Sequence, residues 1–291
     1  MKRSICFIIN PVAGFKKDKS ALIDFLKHQF QEYRLNIYQT KGRGDATEAA
    51  AAAVQDAYET VVAVGGDGTV NEVAAALVQT DTRLGILPIG SGNGLARSLN
   101  IPSQYRRAVD ILKQGSVRRI DVGRAGHRYF CAVAGIGIDA AVGHQFDRSR
   151  FRGPLPYFLL TAREIFRYKP PSVRLSFQHQ TLSLTPFLLT FANTQQFGNG
   201  AVIAPQAVCD DGMLDLCLVP NLPKLEILAA IPRLFNGTLT RHKKVRYFRV
   251  SRAKIEKETA IAYHVDGEPE KTGTILDIEI IPRALNLIVP G

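Results

Sequence analysis

The sequence predicts an α/β domain over residues 1–124 followed by a mainly antiparallel β domain over 125–291. Three observations carry that reading. Strand-like and helix-like segments alternate through the first part, which implies a parallel sheet with helices on both faces. Beyond residue 124 the rhythm changes to period two with hairpin turns. Two glycine-rich stretches each end a strand and open a helix, the arrangement of a doubly wound sheet with its turns at the carboxyl edge.

The elements follow in order. Ser4 to Ile9 is a strand-like apolar run, and Ala21 to Phe30 is helical with Leu22, Phe25, Leu26 and Phe30 on one face. Leu35 to Tyr38 reads as a strand, Asp45 to Tyr58 as an alanine-rich helix, and Thr60 to Val64 as a buried strand. Val70, Val73, Ala74 and Leu77 then repeat at helical spacing, and Thr69 with Glu72 has the spacing of a capping box, which places the helix start at Thr69. Leu84 to Leu87 is a strand, Gln104 to Lys113 a helix, and Arg119 to Val122 a strand. In the second part the expected strands are Tyr129 to Ala134, Ser172 to Phe177, Leu182 to Phe191, Met213 to Val219, Val245 to Val250, Ala260 to Val265 and Ile275 to Ile281. Helices over Leu155 to Tyr168 and Lys224 to Leu234 interrupt them.

Composition narrows the class. Of 291 residues 46% are apolar, enough for real cores, and no apolar run reaches the ~18 residues of a membrane span. The basic and apolar start Lys2 to Ile9 is cut by Asn10-Pro11 too early for a signal peptide. Cys6, Cys131, Cys209 and Cys217 show neither metal spacing nor a disulfide rhythm, so a cytoplasmic location is expected. The net charge of +11 gathers at Lys16, Lys17 and Lys19, at Arg148, Arg150 and Arg152, and from Arg241 to Arg249. Such clusters suit nucleotide or an anionic membrane surface, and no nucleic-acid motif accompanies them.

The chemistry is concentrated in Ala63 to Val73, "AVGGDGTVNEV". Glycine lets backbone N–H groups approach a ligand without a Cβ in the way and permits positive φ, and a helix start adds donors and partial positive charge. A phosphate suits that turn. Asp67 would repel a bare phosphate, so it implies a divalent cation between them or a reacting hydroxyl to orient. Leu87 to Arg97, "LPIGSGNGLAR", repeats the design with Gly90, Ser91, Gly92 and Asn93, and the pair argues for one nucleotide held between both turns. There is no P-loop; Gly135 to Ala140 imitates a dinucleotide fingerprint but lacks the acidic-tipped strand that should follow. Asp210-Asp211-Gly212 offers oxygen ligands for a hard cation or ordinary turn chemistry. Asp266 and Glu268 stand two apart at a hairpin tip, where they could share a general-base role or simply close the turn.

Taken in order, Asn10-Pro11-Val12-Ala13-Gly14, the Gly65 to Glu72 turn, Leu87 to Arg97 and Asp266-Gly267-Glu268 resemble the diacylglycerol kinase catalytic family, which includes bacterial lipid kinases and the sphingosine and ceramide kinases. The resemblance spans essentially the whole chain. It implies a nucleotide-binding domain like those of phosphofructokinase and NAD kinase, a following β-sandwich, and an active site served by both. It implies ATP and Mg²⁺ as cofactors and a membrane lipid alcohol as substrate. The cofactor-binding residues would be Asn10, Thr40, Gly65, Gly66, Asp67, Gly68, Thr69, Asn71, Glu72, Gly90, Ser91, Asn93 and Asp121. Glu268 falls on the general base, with Asp266 and Asp67 completing the catalytic set, and a structural cation maps onto Asp211 with the carbonyls of Val208 and Met213. Asn93-Gly94 departs from the Asn-Asp usual in bacterial members, and the wording "GSGNGLA" is closer to the sphingosine and ceramide kinases. Asp139 lies where sphingosine kinases hold an acid near the lipid head. The expected protein is therefore a peripheral lipid kinase, with a homodimer possible. A kinase of a soluble substrate and a nucleotide-binding regulator without kinase activity are the alternatives.

Overall fold

The computed structural model describes residues 3–14, 18–138 and 165–291. Lys16, Lys17, Asp139, Arg148, Arg150 and Arg152 lie outside the described residues, as does the Leu155 to Tyr168 helix except its last turn. The chain divides into two compact units, Met1–Ile120 with Arg283–Gly291, and Asp121–Pro282. The expected boundary after residue 124 gave the whole remainder to the second part, but the structure returns the last segment to the first.

In the first unit, β1 (Ser4–Ile9), β2 (Arg34–Gln39), β3 (Thr60–Gly65) and β4 (Arg83–Pro88) pair in the order β2-β1-β3-β4, every pair parallel. Asn286 and Leu287, near the end of the chain, pair in parallel with Arg83 and Leu84 and extend this sheet past β4. β1 and β3 are buried along their whole length, which is why they read as unbroken apolar runs rather than alternating ones. The connecting helices are α1 (Ser20–Gln29), α2 (Asp45–Gln55), α3 (Asp67–Leu77), α4 (Gly94–Ser98) and α5 (Tyr105–Gln114). Phe7 from β1 and Phe30 after α1 pack in this core with ring centroids 5.1 Å apart and planes tilted by 59°. Ala46, Ala50 and Ala53 of α2 are buried, and side chains that small let α2 lie close against α3.

The capping box is not what starts α3. The helix begins two residues earlier, at Asp67, with Gly66 as N-cap and no side-chain cap bond. Glu72 instead turns to α2, where its carboxylate accepts the amides of Gly44 at 2.9 Å and Ala46 at 3.2 Å. A carboxylate there satisfies first-turn donors and meets the positive end of the helix dipole.

The second unit is antiparallel. Its six-stranded sheet runs β14 (Arg246–Val250), β13 (Leu214–Pro220), β10 (Pro186–Ala192), β7 (Val133–Gly137), β16 (Ile261–Val265), β17 (Glu268–Thr272). A second layer holds the first part of β18 (Ile275–Val289), whose residues 275–279 pair with β15 (Arg252–Glu256), then β8 (Val173–Phe177) and β9 (Gln180–Leu184). β5 (Ser116–Ala125) and β6 (Arg128–Phe130) pair beside it, and β11 (Gln196–Gly198) with β12 (Ala201–Val202) forms a separate hairpin. Phe130, Leu175, Leu189, Phe191, Leu216, Tyr263 and Ile278 fill the core between the two layers. Gly123 is opposite Phe130, and a Cβ there would run into the aromatic ring. The other face of the six-stranded sheet is covered by α6 (Lys224–Phe235), which packs Ile227, Ile231 and Leu234 against Phe187, Leu188 and Val219.

Two expected strands are each divided. Leu182 to Phe191 becomes β9 and β10 in different sheets, and Tyr129 to Ala134 becomes β6 and β7. The fingerprint-like Gly135 to Ala140 begins inside β7, where the missing Cβ of Gly135 lets β10 approach; a Cβ would sit 2.5 Å from the Leu189 carbonyl oxygen.

Candidate active site

The order β2-β1-β3-β4 reverses direction between β1 and β3, and ligands of open parallel sheets bind outside the carboxyl ends at such a switch point. Asn10 follows β1 there, Thr40 follows β2, the Gly65 to Asn71 turn follows β3 and the Gly90 to Asn93 turn follows β4. Backbone bonds tie these ends together: Asn10 N to Val64 O at 2.9 Å, Thr40 N to Ile9 O at 2.9 Å, and Ile89 N to Gly65 O at 3.0 Å.

The glycines here answer to close approach rather than to positive φ, since Gly65, Gly66, Gly68, Gly90 and Gly92 are absent from the positive-φ residues. A Cβ on Gly90 would collide with the Cα of Gly66, and one on Gly65 with the Thr69 side chain. A Cβ on Gly92 would lie 2.6 Å from Asp67 Oδ2. Positive φ matters at Gly14 (φ 75), where the first loop presses on the second turn with a Cβ position 2.7 Å from the Ile89 carbonyl oxygen. Asn93 (φ 52) takes the left-handed corner before α4, and its Nδ2 donates to Gly90 O at 2.8 Å.

Asp67 bridges the two turns. Its Oδ1 accepts the Gly94 amide at 2.6 Å, a bond between residues 27 apart in sequence. Asn10 Nδ2 donates to Thr69 Oγ1 at 3.1 Å, so the end of β1 is fixed to the first turn of α3. The first-turn amides of α3 have no carbonyl one turn back to bond, and the partial positive charge of the helix end is directed the same way. Asn71 is buried and Ser91 exposed. The sequence reading missed the role of Lys19. Its Nζ donates to Ala13 O at 2.6 Å and so closes the Asn10 to Gly14 loop from inside, and burial lowers its pKa. A lone lysine beyond a glycine loop gives no spacing signal. These residues fit a nucleoside triphosphate: three loops converge on a helix start, and their glycines keep the backbone close.

The second unit holds the other candidates. Asp266 and Gly267 have φ of 48° and 87°, the double positive φ of a type I′ hairpin turn between β16 and β17. The Asp266 carboxylate accepts three backbone amides, Cys131, Ala132 and Val133, each at 2.9 Å. Beside the share in proton acceptance expected of it, Asp266 therefore anchors the hairpin that carries Glu268. Glu268 opens β17, half-exposed, opposite Val265. Beside them His264 is buried, with Nδ1 accepting from the Gly267 amide at 3.4 Å.

Asp121, expected at the nucleotide, is fully buried in the second unit. Its Oδ2 accepts the Gly212 amide at 2.7 Å and its own amide donates to Cys209 O at 2.6 Å. Asn193, which the sequence did not flag, donates from Nδ2 to both Asp121 O and Cys131 O at 2.8 Å. Asp121 is thus the support of the 209–213 loop. Asp211 on that loop accepts the Met213 amide through Oδ1 at 3.0 Å, and its Oδ2 pairs with the Arg249 guanidinium. In the structure, therefore, each Asp211 oxygen of the expected Val208, Asp211 and Met213 set meets a donor of the chain itself, and the cation beside it is the Arg249 guanidinium. Among the described residues no cluster of three or more His, Cys, Asp or Glu has metal-holding geometry. All four cysteines are buried and free, and burial pushes the Cys6 thiol up to about 11 and raises that of Cys131, which disfavours a thiolate at both.

Comparison with known proteins places the chain in a family. A diacylglycerol kinase from Staphylococcus saprophyticus is 28% identical over 274 residues, covering 92% of this chain and 90% of its own. One from Staphylococcus epidermidis is 29% identical over 274 residues, 92% of this chain and 86% of its own. A solved structure from Bacillus anthracis shares the fold with a TM-score of 0.81 at 24% identity, covering 99% of this chain and 97% of that one. The model of the diacylglycerol kinase catalytic domain matches residues 4–125 and that of the YegS C-terminal NAD kinase beta sandwich-like domain matches 132–289. With both halves accounted for in that order, the chain belongs to the diacylglycerol kinase catalytic family of lipid kinases.

Proposed function

We infer that this enzyme transfers the γ-phosphate of ATP to the hydroxyl of a lipid alcohol, a diacylglycerol, a sphingoid base or a related lipid. The observation that carries the reading is the convergence of the Asn10 loop and both glycine turns on the start of α3, with Asp67 spanning the turns through the Gly94 amide. Asn10, Thr40, the 65–71 turn and the 90–93 turn would hold the nucleotide phosphates on backbone amides and the helix end. When bound, Mg²⁺ neutralises phosphate charge, and Asp67 is the carboxylate that the turns offer it. Glu268 accepts the proton of the lipid hydroxyl, and the amides that hold Asp266 keep the hairpin carrying Glu268 in one position. Among the described residues no helix is long and apolar enough to cross a membrane, so the lipid is met at a bilayer surface.

The test is transfer from labelled ATP with Mg²⁺ to a panel of lipid alcohols in mixed micelles. Label in the organic extract with one lipid supports the reading and names the acceptor. Label in NAD moves the enzyme to a soluble acceptor, and label in neither makes it a nucleotide-binding regulator.

A further inference from the structure

The helix α6 is apolar on two faces. One face is accounted for: Ile227, Ile231 and Leu234 pack on the six-stranded sheet. The opposite face is Leu225, Ala229 and Pro232, which share a stripe at helical spacing, with Phe235 at its margin. All four are exposed, Leu225 at 77% and Phe235 at 53% of their full surface. A helix lying on a protein surface normally shows solvent a charged face, so an apolar one implies a partner.

The charge lies next to it. The segment after α6 carries exposed Arg241, Lys243, Lys244 and Arg246. Glu226 of α6 fixes that segment to the helix by pairing with Lys244 at 2.8 Å and with His242 at 3.6 Å. Among the described residues no carboxylate pairs with Arg241, Lys243 or Arg246. An apolar stripe beside unpaired cations matches the interface of an anionic bilayer, where acyl chains take the one and lipid phosphates the other. A protein partner would need acidic groups around an apolar ridge; a bilayer supplies both by construction.

We propose that α6 and the 241–246 segment form the surface by which this enzyme docks on anionic membranes. The proposal rests on a lipid acceptor and adds where the protein touches the bilayer.

Co-sedimentation with phosphatidylcholine vesicles, with and without phosphatidylglycerol and without nucleotide, tests it. Wild type should pellet with the anionic vesicles and release as salt rises. Arg241→Glu with Lys243→Glu should weaken binding by about fivefold or more per charge, and Leu225→Asp with Phe235→Asp by about tenfold or more. All these variants should phosphorylate a water-soluble short-chain lipid alcohol as wild type does. Should Leu225→Asp lower the melting temperature, Leu225→Ala, which keeps the helix, becomes the deciding variant. Wild-type binding by either pair of variants overturns the proposal, as does an ultracentrifugal dimer that Leu225→Asp dissociates, because a second copy would then cover the face. Vesicle binding needs no turnover. Normal short-chain turnover with unchanged vesicle binding in the variants therefore rejects this surface alone, and sensitive binding with no lipid phosphorylated rejects the acceptor alone.

Discussion

Asp67-Gly68 and Asp266-Gly267 are the same dipeptide at the end of the same kind of buried strand, yet the chain treats them differently. After Val265 it reverses through two left-handed residues into β17, whereas after Gly65 it runs straight into α3. The carboxylates differ as well. Asp266 takes three amides of one buried segment, and Asp67 accepts an amide from a neighbouring turn. The first is a structural anchor. The second joins the two glycine turns. What a carboxylate can do is decided by which donors reach it, and these come from residues 27 or more positions away.

The largest effect is expected beside Asp266 and not at it. Glu268→Gln should lower kcat by about 10²–10⁴-fold, since glutamine keeps the shape but cannot take the proton. Its melting temperature should match wild type; a normal kcat in steady-state assays would remove Glu268 from the chemistry. Asp266→Ala strands three amides of the buried segment Cys131 to Val133, each costing about 1–3 kcal/mol, so a loss of at least about 3 kcal/mol should appear in urea unfolding. Asp266→Asn, with one acceptor left, should lose about half. If both unfold like wild type, the two aspartates are not different in kind.

Asp67→Asn should give the converse pattern. The amide oxygen can still accept the Gly94 N–H, so melting stays put while kcat/KM falls by about 10²-fold. A parallel loss of stability would make Asp67 a second anchor. A smaller effect belongs to the Asp211–Arg249 pair, which is half exposed: Arg249→Met should cost less than about 1 kcal/mol. Wild-type melting should not respond to Mg²⁺ in the absence of nucleotide; a rise with Mg²⁺ would return a metal to Asp211.

The smallest effect is one of pH. Asp215 is buried on β13 and burial raises its pKa, against a long bond from Gln206 Nε2 at 3.5 Å. The folded state therefore holds this proton more tightly than the unfolded one. The contribution is fully present below the ordinary carboxylate value, 3.8, and is lost as pH rises through the raised one. Asp215→Asn should flatten that fall, so wild type and variant compared by thermal melts at successive pH values should diverge in the variant's favour as pH rises. Curves that stay parallel would show that Asp215 titrates as it does in the unfolded chain.

Much of this was legible before folding. β1, β3 and β4 lie where they were expected to within about one residue, because parallel strands buried on both faces are continuous apolar runs and the helices between them keep their own period. Legibility failed where the chain changes sheet within a single residue. Thr185 alone separates β9 from β10, and Ser251 alone separates β14 from β15, so neither break has the length of a turn to mark it. β17, Glu268–Thr272, is polar and contains a proline, which suits an edge strand and hides it from any apolar count.

The sequence by itself determined the two-part plan, the two glycine turns, the hairpin at Asp266-Gly267 and the family, because each is written in neighbouring residues: a period, a tight spacing or a dipeptide. Only the tertiary structure decided what each carboxylate serves. Glu72 left its own helix for the start of α2, Asp121 became the support of the 209–213 loop, Asp266 took three amides, and Asp211 met an arginine. The physical reason is common to all four. A carboxylate's role depends on the donors around it, and a folded chain brings those donors from segments that no local pattern in the sequence connects.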